Sequence, residues 1–301
     1  MPDFVNDGEA TTVSAGPASA GPTMRRRRLG ADLRQLREQK SLRLEEVADH
    51  LGVAPSTLSR IETGKAPTRT SYLAFMLDLY GVADPARRRL LMDLAREGQR
   101  KGWWMAYDDV LPPGAGTYLG LEAEASALLG FHERVLPGLL RTAEYARALI
   151  AAGRPEMAAD QLERLVEVQM RRQDVLRGEN PIRLRLILDE AVLLRSIGPP
   201  GVMRQQLARL NAGGRLPTVD IRVVRLAGAP SRVLAPSFGI LSFADPGDGD
   251  VVCSEGLRGQ MLFEQRPAEV QAMRATFDAL GRSALSRRES AKLIGDLAAG
   301  A

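Results

Sequence analysis

Between residues 29 and 98 the apolar positions recur at helical spacing in five short blocks. Leu29, Leu33 and Leu36 share one face of a first helix, Leu29 to Lys40, while Arg34, Arg37 and Lys40 take other faces. Leu44, Val47, Ala48 and Leu51 form the stripe of a second, Leu44 to Leu51. Gly52 follows it, where helices commonly end in the left-handed conformation that glycine tolerates. Pro55 suits the first turn of a third helix running to about Thr63, with Leu58 and Ile61 facing inward. Thr70 to Tyr80 and Pro85 to Glu97 complete the set, each with a Leu-rich face. Two short helices around a tight glycine-containing turn make a helix-turn-helix. Ala48 is small enough to let them approach, and Val53, Leu58 and Ile61 lock the second onto the first.

From residue 102 the pattern changes. Asp108 to Tyr118, with Pro112, Pro113, Gly114 and Gly116, reads as a loop, and apolar Leu121 to Phe131 fits a helix or a strand equally. A turn at Pro137 and Gly138 precedes a helix for which Thr142 is the N-cap candidate. Glu156 to Arg177 reads as one long charged helix. Ile182 to Asp189 alternates like a strand, and Gly201 to Asn211 is helical. Val219 to Leu226, Ser237 to Phe243 and Val251 to Cys253 read as three more strands. Arg266 to Leu280 and Ser286 to Leu297 are closing helices. The expected fold class is α+β: an N-terminal five-helix domain, then a mixed α/β domain with a small sheet. The expected boundaries are 1–24 for a disordered tail, 25–98 for the helical domain and 102–301 for the second domain.

Charge sharpens this division. Residues 25–101 carry 17 Lys and Arg against 10 Asp and Glu, a net +7, whereas 102–301 carry 24 of each sign. The excess coincides with the helix-turn-helix; taken alone it fits a solvated basic surface, and together with that motif it points to an anionic partner there. Residues 1–24 carry Asp3, Asp7 and Glu9 and no cation, and Val13 to Thr23 has almost nothing to bury. Met24 then precedes Arg25 to Arg28, so Met24 is an alternative start. The four arginines fit an arm that touches phosphates or a solvated run equally well. The single cysteine, Cys253, excludes an intramolecular disulfide framework and fits a reducing, cytoplasmic setting. With His50 and His132 as the only histidines, a structural zinc site is not expected, nor is any cofactor. No run of apolar residues is long enough to span a membrane.

The stretch LGADLRQLREQKSLRLEEVADHLGVAPSTLSRIETGKAPTRTSYLAFMLDLYGV resembles the Xre/Cro-type DNA-binding domain of bacterial and phage repressors. The resemblance implies a lambda-repressor-like fold whose third helix enters the major groove of double-stranded DNA. By position it places Pro55, Ser56 and Arg60 where base-contacting residues lie. Pro55 stands where glutamine is frequent, so its part must be steric or an apolar contact with a thymine methyl. Ser56, Thr57 and Ser59 lie on the same helix, within reach of a base or phosphate. Arg60 is the candidate for direct reading, because a guanidinium pairs with guanine O6 and N7. Arg34, Lys65 and Arg69 are phosphate candidates, which position without specifying. Glu62 would repel phosphate and is expected to face away, in an internal ion pair with Arg34 or Arg37.

WW, LGLEAEASALLGFHERVLPGLLRTAEYARALI, LDEAVLLRSIG, RQQLARL and SRRESAKLIGDLA resemble the C-terminal domain of actinobacterial Xre-family regulators, among them regulators of sporulation and antibiotic production in Streptomyces. LRT stands where LQT is commoner. That domain is described as antitoxin-like. The resemblance implies a part that senses a ligand or a small protein encoded by an adjacent gene. The alternative is a DNA-binding antitoxin that neutralises a partner. An enzyme would have to draw on His132, Cys253, Asp189, Glu190 and Glu255, with no nucleophile turn or oxyanion motif among them. A core cysteine and capping or ion-paired carboxylates fit these residues better. Gly247 to Asp250 reads as a tight turn rather than a calcium loop. One short helix reads few base pairs, so a homodimer on an inverted repeat is expected. The leucine-rich faces of Glu156–Arg177 and Arg266–Leu280 are its candidate surfaces, or equally core against their own sheet.

Overall fold

The computed structural model describes residues 24–99, 102–227, 236–244, 248–256 and 259–300. The N-terminal unit comprises α1 (Met24–Gln39), α2 (Leu44–Leu51), α3 (Pro55–Glu62), α4 (Thr70–Leu79) and α5 (Pro85–Gly98). Leu33, Val47, Ala48, Leu58, Leu73, Met76 and Leu77 are fully buried at its centre. Each of these side chains larger than alanine contributes about 1.5–3 kcal/mol relative to exposure, which is how helices of about ten residues hold together.

The first helix starts five residues before the expected Leu29, and its opening turn is the arginine run. Arg25 to Arg28 are partly buried. Arg26 Nε donates to the carbonyl of Gly98 at the end of α5. A Cβ on Gly64 would lie 2.7 Å from Arg27 Cα. The run is therefore helical and packed, neither an extended arm nor a solvated stretch. Apolar periodicity does not reveal it, because arginine buries its stem while remaining charged. The expected tail lies, up to residue 23, outside the described residues.

The second unit is built on one mixed sheet of order β3-β2-β1-β4-β5-β6. Its strands are β1 (Ala127–His132), β2 (Arg183–Asp189), β3 (Val219–Val224), β4 (Phe238–Ser242), β5 (Val251–Glu255) and β6 (Met261–Glu264). β1, β2 and β3 run parallel, whereas β4, β5 and β6 are added antiparallel. Side chains alternate across the sheet. Leu128, Leu186, Leu188, Ile221, Leu241 and Cys253 face a core that also holds Tyr145 of α7 (Ala143–Gly153), Leu207 and Leu210 of α10 (Val202–Gly213) and Ile294 of α12 (Arg287–Gly300). Leu129, Phe131, Ile187, Phe238 and Ile240 face Val270, Phe277 and Leu280 of α11 (Pro267–Ser283) on the other side. The fold is α+β.

Several expectations are corrected here. The loop expected over 108–118 ends early, because Gly114 at φ 80° opens α6 (Ala115–Glu124). The ambiguous stretch Leu121 to Phe131 is both elements, the end of α6 and most of β1. The expected long helix is α8 (Ala159–Arg171) followed by a 3-10 turn, Arg172–Leu176. The short α9 (Ala191–Leu194), β6 and a 3-10 turn at Trp103–Tyr107 were not foreseen. Thr142 does cap α7, its hydroxyl accepting from Tyr145 N at 3.1 Å. Of the two readings of the leucine-rich faces, dimer surface or core, both faces follow the second. Leu165 and Val168 of α8 pack with Trp104 and Tyr107, and α11 covers the sheet.

Candidate DNA-binding surface

The turn between α2 and α3 is set locally. Arg43 N donates to the Glu46 carboxylate at 2.8 Å, satisfying one of the open donors at the start of α2. At the other end Gly52 takes φ 66°, and Val53 N reaches back to Ala48 O at 3.0 Å. Pro55 then fixes the first turn of α3, where its missing N–H leaves no helical bond unmade. Leu58 and Ile61 point into the core, so the opposite side of α3 must face outward.

Two contacts fasten α1 to the far end of α3. Arg37 Nε donates to Glu62 Oε1 at 2.7 Å and Arg37 Nη2 to Glu62 Oε2 at 2.9 Å. Arg37 Nη1 also holds Leu42 O at 2.9 Å. The pair raises the Arg37 guanidinium above its usual range, mainly through that hydrogen bonding. Of the two partners foreseen for Glu62, Arg37 is the one. Arg34 instead bonds Glu38 at 2.8 Å in solvent. The second contact is a close crossing. A Cβ on Gly30 would stand 2.5 Å from the carbonyl oxygens of both Ile61 and Glu62. Sequence reasoning missed Gly30, although a lone glycine inside a helical pattern signals a close approach.

The anticipated contact residues fall as follows. Pro55, Ser56 and Arg60 are exposed on α3, and Thr57 and Ser59 are half-buried. Ser56, Ser59 and Arg60 share one helical face by spacing. Lys65 is exposed in the turn after α3, where its N–H bonds Arg60 O at 2.7 Å. Among the described residues, neither Arg60 nor Lys65 has a carboxylate partner. Arg69 lies immediately before α4 with its guanidinium 5.6 Å from the Tyr72 ring centre. Arg34 projects from α1 and is engaged with Glu38. α3 and the turn after it thus bring together Pro55, Ser56, Thr57, Ser59, Arg60 and Lys65. Arg34 and Arg69 belong to neighbouring elements and are already tied to other side chains.

Three of the reactive candidates of the second unit, Cys253, Asp189 and Glu190, sit in the core or in structural contacts. Cys253 is buried, and burial pushes its thiol up to about 12, so no thiolate forms near neutral pH. Asp189 Oδ1 accepts from Ala191 N at 2.8 Å, capping α9. Glu190 Oε2 accepts from Leu226 N at 2.9 Å and pairs with Arg225 at 3.0 Å. Asp250 is ion-paired with Arg274, and Gly247 lies outside the described residues. Among the described residues no cluster of three His, Cys, Asp or Glu could hold a metal. Among the described residues no helix is long and apolar enough to cross a membrane either.

Comparison with known proteins agrees with this division. Residues 28–91 match the family described as a helix-turn-helix domain, and such a domain is a DNA-binding element. Residues 115–296 match the family described as Domain of unknown function (DUF5753). No curated protein and no solved structure matches the chain. With more than half of its length inside that second match, the chain belongs to the DUF5753 family and carries a helix-turn-helix domain ahead of it.

Proposed function

We propose that the chain is a sequence-specific transcriptional regulator. Residues 25–98 bind duplex DNA, α3 reads the major groove, and residues 102–301 sense a ligand or a small protein partner in the cytoplasm. The observation that carries the DNA reading is the outer face of α3. Among the described residues, Arg60 on that face and Lys65 in the turn after it have no carboxylate partner, and the helix is clamped from behind by Arg37 and Glu62. In this reading Arg60 contacts a base, Pro55, Ser56, Thr57 and Ser59 shape the approach, and Arg34, Lys65 and Arg69 hold phosphates. The sensing role rests on the resemblance to Xre-family regulators.

The protein acts as a homodimer on an inverted repeat, because one short helix specifies too few base pairs among many competing sites. Sedimentation of the full chain, with a footprint on a selected operator, tests both points. A dimer with a symmetric footprint supports the reading. A monomer bound one to one, with an asymmetric footprint, ends the dimer proposal.

A further inference from the structure

Residues 102–301 carry equal numbers of cations and anions, yet one groove on this second domain gathers four cations. It lies between the end of α10 and the first turns of α12, with a volume of about 530 Å³. Arg215 lines it from the turn after α10, and Arg287, Arg288 and Lys292 line it from α12. Arg288 and Lys292 are four residues apart and so share one helical face. Arg287 ties the two walls together. Its Nη2 donates to Gly214 O at 2.7 Å and to Leu216 O at 3.2 Å.

Little negative charge answers this cluster. Lys292 Nζ pairs with Asp296 at 2.6 Å. Glu289, in the first turn of α12, is engaged with Ser286, accepting from its N–H at 2.9 Å and its hydroxyl at 2.6 Å. Among the described residues Arg287 has no carboxylate partner, and the side chains of Arg215 and Arg288 have no ion pair or hydrogen bond at all. The half-buried Asn211 in the groove wall likewise has no hydrogen bond for its side-chain amide. Three guanidinium groups around one hollow, with an amide donor beside them, attract anions. All four cations are exposed, so a solute reaches them. Size and lining narrow the ligand. The volume falls within the roughly 300–1,000 Å³ of small-molecule sites. No aromatic ring lines the groove, so nothing there stacks a nucleobase. The planar fork of arginine matches pairs of phosphate oxygens, and three such forks suit more than one negative charge.

We propose that this groove binds a compact, phosphate-bearing small molecule with at least two negative charges. Arg215, Arg287 and Arg288 hold its phosphate oxygens, with Lys292 and the Asn211 amide beside them. The inference names a ligand class for the sensing role given above to the second domain, and it rests on that reading only for its use in regulation.

The test is a calorimetric titration of inorganic pyrophosphate into the full chain without DNA, at about 0.15 M salt to screen exposed charges. The expected result is saturable binding of one pyrophosphate per chain. Arg215→Gln combined with Arg288→Gln weakens it about tenfold or more, the loss expected for hydrogen bonds to a charged group. Both side chains are exposed and unpartnered among the described residues, so this double variant keeps its fold, which its melting temperature checks. Arg60→Ala combined with Lys65→Ala, on the DNA-binding surface, leaves pyrophosphate binding unchanged. Absence of saturable heat, or binding that survives the loss of Arg215 and Arg288, overturns the proposal. Binding lost with Arg60 and Lys65 overturns it too, because the anion then sits on the DNA-binding surface. A selected duplex separates the two sources of phosphate. The Arg215 and Arg288 double variant keeps its affinity for DNA, and a parallel loss would make the groove a nucleic-acid contact instead. Pyrophosphate bound in the groove without any change in DNA affinity supports the site and counts against the sensing role, so the two readings fail separately.

Discussion

Arg37 of α1 grips Glu62 at the end of α3 with both carboxylate oxygens engaged, the two side chains being 10% and 3% exposed. The clamp sets the direction of α3 from its buried side, so the exposed side is presented at a fixed angle. Removing one partner leaves a buried charge alone. Glu62→Leu or Arg37→Met should therefore cost about 3–5 kcal/mol, whereas the double replacement should recover most of it. Denaturant unfolding of the four proteins checks this, and additive losses would show that the pair is not a unit. In the double variant DNA affinity should stay reduced although stability returns, because the angle of α3 is no longer fixed.

The crossing of α1 over α3 gives a second test. Gly30→Ala places a Cβ against two backbone carbonyls that cannot swing aside. Gly52→Ala meets open space and suffers only the strain of φ 66°, about 1–2 kcal/mol for a non-glycine residue. Melting temperatures should fall further for Gly30→Ala than for Gly52→Ala. The reverse order would remove Gly30 from the account.

These two glycines illustrate what the sequence makes legible. α2 was placed at Leu44 to Leu51 because an apolar stripe ends at a left-handed glycine, a signal contained in nine consecutive residues. The arginine turn of α1 carries no apolar stripe, so its helix could not be read. β6 and α9 have only four residues each, too few for a period to show. Asp189 and Glu190 were legible as capping and ion-pairing residues because their partners lie close to a strand end. The pairing of Arg172 with Glu122 was not legible, because one comes from the turn after α8 and the other from α6, fifty residues earlier.

His132 makes acid sensitivity predictable. Burial, helped by Arg141 and Arg172, lowers its pKa to about 3 from 6.5. The folded chain therefore holds this imidazole neutral where the unfolded chain protonates it. The unfolded state binds more protons between those values, so stability rises with pH across that window. The contribution is complete above about 6.5, the unfolded value, and is lost as pH falls towards about 3. His132→Gln should flatten the acid limb of unfolding free energy against pH. An unchanged acid limb would contradict the assignment.

Lys65 and Arg60 should differ in kind. Lys65→Ala should weaken all duplex sequences about equally and reduce the salt slope by about one unit, as expected for one lost phosphate contact. An unaltered slope would remove Lys65 from the phosphate-contacting set.

The central claim is that α3 reads base sequence through Arg60, and selection of bound duplexes from randomised DNA tests it most directly. The full chain should enrich one motif. Arg60→Ala should lose preference at one position in each half-site, at a cost of about 1–3 kcal/mol for a bidentate base contact. A full chain that enriches no motif, or an Arg60→Ala variant that enriches the unaltered one, would contradict the account.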